Sequence, residues 1–105
     1  MPDFTLRYLP LFERDLAETL DYITYRLGSP QAAQRLLDDT EDAILKRLEN
    51  PLGLSPYESM RNREHPYYAI RIRNFMVFYV VIDTCMEVRR FIYNRRNIPR
   101  LLEDS

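Results

Sequence analysis

The sequence has one cysteine, one histidine and no tryptophan among its 105 residues. Cys85 cannot form a disulfide bond within the chain, because it has no second cysteine to join. One cysteine and one histidine also cannot supply the nitrogen and sulfur ligands of a structural zinc site. We therefore expect neither a metal ion nor another cofactor.

Long hydrophobic runs are missing as well. The apolar segments are interrupted by charged residues, and none approaches the ~20 residues that a membrane-spanning helix needs. The N-terminal residues MPDFTLRY lack the apolar core of a secretory signal peptide. The sequence thus predicts a cytoplasmic protein without a membrane partner.

The composition is that of an ordinary globular protein, with 46% hydrophobic and 30% charged residues. A chain of this length matches one domain and can bury a substantial core. We expect residues 1–105 to form a single domain.

Charge is distributed unevenly along the chain. Residues 1–50 contain six basic and ten acidic side chains, whereas residues 51–105 contain nine basic and six acidic ones. Fourteen of the 15 basic residues are arginine, whose planar guanidinium suits phosphate or carboxylate recognition. Two interpretations stay open: a binding surface, or a genome rich in arginine codons.

Hydrophobic periodicity predicts the first two elements. Residues 4–8 alternate apolar and polar side chains, which is typical of a strand with one buried face. Residues 11–27 carry apolar residues at helical spacing, and Gly28 ends this predicted helix. Its expected buried stripe is Phe12, Leu16, Leu20, Ile23 and Leu27.

A second helix is predicted to follow at once. Ser29 is suited to an N-cap and Pro30 to the first helical position, whereas Pro51 forbids continuation beyond residue 50. The short connection predicts an antiparallel helical hairpin. The expected buried stripe of this helix is Ala33, Leu36, Leu37, Thr40, Ile44 and Leu48.

The remainder predicts a loop, three strands and a short helix. The strand-like runs are YYAIRIR, FMVFYVVI and EVRRFIY, and the middle one is apolar on both faces, as a central strand would be. The first turn between them falls at Arg73–Asn74, where arginine is unfavourable for positive φ, so we expect a longer loop or local strain. Asn97 is suited to cap the final helix. The predicted fold class is α+β, in the order β-α-α-β-β-β, with the helical hairpin on one face of a mostly antiparallel sheet.

This layout, together with IRNFMVFYVV (residues 72–81) and RRFIYNRRNIPRLL (residues 89–102), resembles the RelE/ParE superfamily of bacterial type II toxin–antitoxin toxins. Two positions depart from that family's pattern. Met76 stands where many members have a basic residue, and Tyr93–Asn94 stand where many have His-Gly. The resemblance implies a toxin that is neutralised by a cognate antitoxin.

Two mechanisms are implied by the resemblance. ParE-like members inhibit DNA gyrase, whereas RelE-like and YoeB-like members cut mRNA on the ribosome. Metal-free RNA cleavage needs a base, an acid and a cation that stabilises the phosphorane. His65 is the only histidine, and a tyrosine in the role of acid or base, as Tyr93 would be, is a phenol, a group whose unperturbed pKa is about 10. The pI near 5.8 is also far below the value above about 9 that is typical of nucleic-acid-binding domains.

These arguments favour a toxin that inhibits gyrase without being an enzyme. The alternatives are a ribosome-dependent mRNA endoribonuclease and a non-toxic interaction module of the same fold.

The arginines of YNRRN are expected to gather with Arg71 on one sheet edge, while Arg90 is the one that could instead point toward the helices. The candidate target-binding residues are Arg71, Arg73, Tyr93, Arg95 and Arg96; the candidates for catalysis, if the protein is a ribonuclease, are His65, Arg71, Tyr93 and Arg95.

Overall fold

The fold is an α+β arrangement of four strands and three helices, as the sequence pattern predicts. A computed structural model describes residues 3–57, 64–94 and 96–103. The elements in chain order are β1 (Thr5–Tyr8), α1 (Pro10–Asp21), a π-helical segment (Tyr22–Arg26), α2 (Pro30–Leu48), β2 (Tyr68–Ile72), β3 (Phe75–Ile82), β4 (Cys85–Tyr93) and α3 (Ile98–Glu103).

The four strands form one mixed sheet in the order β1-β4-β3-β2. β1 runs parallel to β4, whereas β2–β3 and β3–β4 are antiparallel hairpins. β3 is the interior strand that the sequence predicts, with its four middle residues buried. The register between β3 and β4 shifts at Phe78/Tyr79, so β4 bulges there.

Both faces of the sheet are covered. The face under the helical hairpin buries Phe12 of α1 and Leu36 and Ile44 of α2 against the strands. The opposite face buries Ile98 and Leu102 of α3 together with side chains of β3 and β4. We call these the hairpin face and the α3 face. Their two apolar layers explain why β3 is apolar on both sides.

The predicted start of α2 is confirmed in detail. The Ser29 hydroxyl accepts a hydrogen bond from the Ala32 N–H at 3.3 Å, and Pro30 occupies the first turn. Gly28 adopts φ 66°, in the left-handed region where a side chain would be strained. At the other end of the chain, the Asn97 side chain accepts from the Arg100 N–H at 3.5 Å and so caps α3.

The end of the first helix differs from the prediction. Regular α-helix stops at Asp21, and a π-helical turn follows, in which the Leu27 N–H donates to the Tyr22 carbonyl at 3.1 Å. A π-turn contains more residues than an α-turn, so it rotates the following side chains away from the stripe. Leu27, which the 3.6-residue period placed in the core, is therefore 61% exposed.

Both β-hairpins turn over two residues, and each turn begins with a residue in the left-handed region. Arg73 has φ 55° and Asp83 has φ 56°. The strain expected at Arg73 is thus present, and the loop is not lengthened to avoid it. Arg73 also forms an ion pair with Asp39 of α2, which ties this turn to the helical hairpin.

Candidate functional site

The arginines of the C-terminal half that the structure describes fall into a group with ion pairs and a group without them. Arg73, Arg89 and Arg90 each form an ion pair with a carboxylate. Arg71 and Arg96 are exposed and form no ion pair within the part of the chain that the structure describes. Arg100 of α3 is likewise exposed and forms no ion pair with a described residue. Among the described arginines of this half, the second group can offer its charge to a partner without first breaking one of these ion pairs.

Arg90 holds three elements together. Its Nε donates to Oδ2 of Asp15 at 2.7 Å and its Nη2 to Oδ1 of the same residue at 3.2 Å. Its Nη1 donates to the Leu101 carbonyl of α3 at 3.0 Å. The sequence left the orientation of Arg90 open, and in the structure this side chain points toward the helices. Because the contact is buried and bidentate, Arg90 anchors the fold and is not available to a target.

A second buried charge cluster lies on β4 at the residues that precede Arg90. Glu87 is 7% exposed and contacts two arginines, Arg89 at 2.8 Å and Arg7 of β1 at 3.5 Å. Burial acts to lower the pKa of the Arg89 guanidinium, but hydrogen bonds to Tyr67 and Glu87 outweigh it and raise that pKa above its ordinary value. Sequence reasoning missed this cluster, although Glu87 and Arg89 lie only two residues apart on one strand, a spacing that could have indicated a contact.

Arg71 and Tyr93 lie on opposite faces of the sheet. Arg71 alternates with Ile70 and Ile72, whose side chains are buried on the hairpin face, so Arg71 belongs to the α3 face. Tyr93 pairs in register with Phe75 and contacts its ring edge-on at 5.6 Å between centroids, which places it on the hairpin face. The sheet itself separates these two candidates.

His65 lies at the other end of the sheet from Tyr93. It precedes β2 by three residues, whereas the register pairs Tyr93 with Phe75, which faces the last residue of β2. The five residues of β2 span about 16 Å at ~3.3 Å per residue. Arg95 lies outside the described residues, so the predicted gathering of Arg95 and Arg96 with Arg71 stays a prediction.

Tyr93 lines a cleft of about 600 Å³ beside the π-helical segment. Tyr22, the first residue of that segment, and Leu27, which directly follows the segment, line the cleft and are 54% and 61% exposed. Tyr93 itself is 37% exposed. The cleft residues are Glu18, Thr19, Tyr22, Ile23, Leu27, Asn74, Phe75 and Tyr93. Exposed tyrosines of this kind are common where one protein binds another.

A narrower groove of about 250 Å³ runs between α1 and α2. Tyr8 and Phe12 form part of its floor, stacked with ring centroids 5.3 Å apart. Burial and the nearby Glu41 carboxylate raise the pKa of the Tyr8 phenol above its ordinary value. The groove is lined by Tyr8, Phe12, Glu13, Leu16, Ala17, Leu20, Leu37, Thr40, Glu41 and Ile44.

Neither a metal cluster nor a membrane-spanning helix occurs in the described part of the chain. Within residues 3–57, 64–94 and 96–103, no three His, Cys, Asp or Glu side chains are placed to hold a metal ion together. Across the same residues, no helix combines the length and the hydropathy needed to cross a bilayer.

Comparison with known proteins agrees with the architecture. A family model described as the ParE toxin of type II toxin–antitoxin system, parDE, matches residues 6–98. A solved structure described as a chromosomal ParDE TA system from P. aeruginosa superposes with a TM-score of 0.73 at 13% identity, and covers 89% of this chain and 98% of that chain. No curated protein matches this sequence directly.

Proposed function

The chain belongs to the ParE toxin family of type II toxin–antitoxin systems, and we propose that it arrests growth by inhibiting DNA gyrase. In this proposal the protein binds its target and performs no chemistry of its own. Its cognate antitoxin is the partner that keeps it silent. Arg71, Arg73, Tyr93, Arg95 and Arg96 are the proposed target-binding residues, with Arg95 outside the described part.

The dispersal of the possible RNA-cleaving groups is the observation that carries this proposal. A metal-free nuclease has to hold its base, its acid and its cation within hydrogen-bond reach of one phosphate. Arg71 and Tyr93 occupy opposite faces of the sheet, and His65 lies beyond the far end of β2. Binding to a protein surface makes no such demand, because separate contacts can engage separate parts of a partner.

The exposed arginines support a binding role. Arg71 and Arg100 share the α3 face, since α3 packs on that side of the sheet. The two helices of the hairpin cover the other face and contain eight of the sixteen acidic residues. The charge of the protein is therefore separated in space, with exposed arginines on the side away from the acidic hairpin, although its net charge is −1.

A gyrase assay tests the proposal directly. Purified protein is incubated with gyrase, ATP and supercoiled plasmid, and cleaved DNA is measured after detergent and protease treatment. We expect cleaved DNA to accumulate with wild-type protein and to decrease with Arg96→Ala. The matched control is Arg35→Ala, which removes an exposed arginine on α2. Unchanged gyrase at toxin concentrations that arrest cells would contradict the proposal.

Primer extension on mRNA from arrested cells tests the ribonuclease alternative. The gyrase proposal predicts intact mRNA, filamentous cells and an induced DNA-damage response. Discrete new 5′ ends within codons that disappear with Tyr93→Phe would instead establish mRNA cleavage. Expression with and without the neighbouring gene tests the interaction-module alternative, because a module without toxicity leaves growth unchanged at any level.

A further inference from the structure

The groove between α1 and α2 is apolar at its floor and acidic at its rim. Its floor contains the stacked rings of Tyr8 and Phe12 and the aliphatic side chains between the two helices. Glu13 of α1 and Glu41 of α2 line it from opposite sides. Its volume of about 250 Å³ suits one or two inserted side chains and is too small for a whole helix.

Neither rim carboxylate has a counter-charge among the residues that the structure describes. Both side chains are exposed, and neither forms an ion pair within the described part of the chain. Other carboxylates of the hairpin are used internally: Glu18 pairs with Arg14, and Asp39 pairs with Arg73. The groove therefore offers two available negative charges on either side of an apolar slot.

We propose that this groove binds an apolar side chain of the antitoxin next to a lysine or arginine that pairs with Glu13 and Glu41. The inference rests on the proposed function, in which the antitoxin is the neutralising partner. Charge complementarity selects the occupant, because an acidic segment at this groove would be repelled. An acidic segment suits only the exposed arginines on the α3 face.

An antitoxin that also covers the exposed arginines of the α3 face needs two charge blocks of opposite sign. One block is basic and apolar and reaches the hairpin groove, and the other is acidic and reaches the side of Arg71 and Arg100. Such a pattern permits one orientation of the bound segment, because the reversed orientation places like charges together at both ends. A flexible segment can bridge both sites, since segments that order on binding cover large surfaces.

Charge reversal tests the groove. The double variant Glu13→Lys/Glu41→Lys is compared with wild type by calorimetric titration with the antitoxin encoded beside this chain. We expect affinity to fall at least tenfold, and the neutral double variant Glu13→Gln/Glu41→Gln to lie between. The matched control is Asp42→Lys, which reverses an exposed charge on α2 outside the groove and should change affinity less than twofold. Circular dichroism checks that each variant is folded.

A compensating change identifies the partner residue. Replacing the basic residue of the antitoxin by glutamate should restore binding to the charge-reversed toxin and weaken binding to wild type. Equal affinities of wild type and the double lysine variant would overturn the inference, as would an antitoxin that does not bind this chain. A wild-type dimer that the double variant converts to monomer would also overturn it, because a second copy would then occupy the groove.

The outcome is separable from that of the gyrase proposal. Gyrase inhibition is measured with the toxin alone, and the double lysine variant should retain it because neither Glu13 nor Glu41 is among the proposed target-binding residues. If the double lysine variant binds the antitoxin more weakly but the wild-type toxin has no effect on gyrase, the gyrase proposal is wrong and the groove assignment is still supported. If both toxins inhibit gyrase and the antitoxin neutralises both equally, the gyrase target is supported and the groove assignment is wrong.

Discussion

Asp15 of α1 accepts hydrogen bonds from two consecutive residues of β4, Arg90 through its side chain and Phe91 through its backbone N–H at 3.0 Å. β1 pairs with β4 only as far as Val88, so no strand reaches the Phe91 N–H on that side. A buried N–H without a partner is destabilising, and the Asp15 carboxylate removes this deficit. The Asp15 side chain thus accepts the backbone hydrogen bond that a neighbouring strand would otherwise accept.

Removing that carboxylate should destabilise the fold strongly. We expect Asp15→Ala to lower the free energy of unfolding by about 3 kcal/mol or more, because the buried Arg90 guanidinium loses its bidentate ion pair and the Phe91 N–H loses its acceptor. Urea denaturation followed by circular dichroism measures this. Asp42→Ala, an exposed carboxylate on α2, is the control and should remain within about 0.5 kcal/mol of wild type.

The strained turn between β3 and β4 should tolerate glycine better than the native residue. Asp83→Gly is expected to raise the free energy of unfolding by about 1 kcal/mol, because glycine adopts φ 56° without steric strain. Thr84→Gly, at the next position of the same turn, should lower it, since that residue has no positive φ to relieve. Thermal unfolding of the two variants gives the comparison, and shifts in the same direction would contradict this explanation.

Alkaline pH should weaken the fold through Tyr79. Burial raises the pKa of this phenol, and its hydroxyl donates to the Pro51 carbonyl at 2.7 Å and accepts from Arg47 at 3.0 Å. The folded state therefore retains the proton more strongly than the unfolded state. This contribution is complete below the unfolded pKa of about 10 and is lost as pH rises through the higher folded pKa.

Tyr79→Phe checks that assignment. We expect it to lower the free energy of unfolding by about 1–2 kcal/mol at neutral pH, because the buried Pro51 carbonyl loses its donor. It should also flatten the decline in stability above pH about 10. Tyr25→Phe, at a side chain that is 79% exposed, should leave the pH profile unchanged. An identical alkaline slope in wild type and Tyr79→Phe would show that another group causes it.

The exposed arginines should affect toxicity without affecting the fold. For Arg71→Ala and for Arg96→Ala, we expect the inducer concentration needed for growth arrest to rise at least tenfold. The free energy of unfolding should stay within about 0.5 kcal/mol of wild type. Arg35→Ala should retain full toxicity. Growth curves across a series of inducer concentrations measure this effect, and immunoblotting checks the amount of toxin. Full toxicity of the Arg71→Ala/Arg96→Ala double variant would exclude both residues from the target-binding surface.

The sequence by itself determined the local elements and the fold class. The alternation of β1, the Ser29–Pro30 start of α2, the interior position of β3 and the Asn97 cap all follow from patterns within a few residues. Such patterns act through backbone geometry and local hydrogen bonds, so neighbouring residues suffice to specify them. The family resemblance added the toxin assignment, which the family match confirmed.

The tertiary structure decided which side chains meet. The partners of Arg90, Glu87 and Arg73 lie 75, 80 and 34 positions away along the chain, respectively Asp15, Arg7 and Asp39. The separation of Arg71 from Tyr93 likewise depends on strand register, and the exposure of Leu27 depends on the π-helical turn. A shift of one residue in register moves a side chain to the other face of a sheet. The two-residue turn between β3 and β4 would by itself pair Phe75 with Ile92, but the extra residue of the bulge in β4 pairs Phe75 with Tyr93 instead. The local sequence does not mark that bulge, so the face of Tyr93 is known only from the structure.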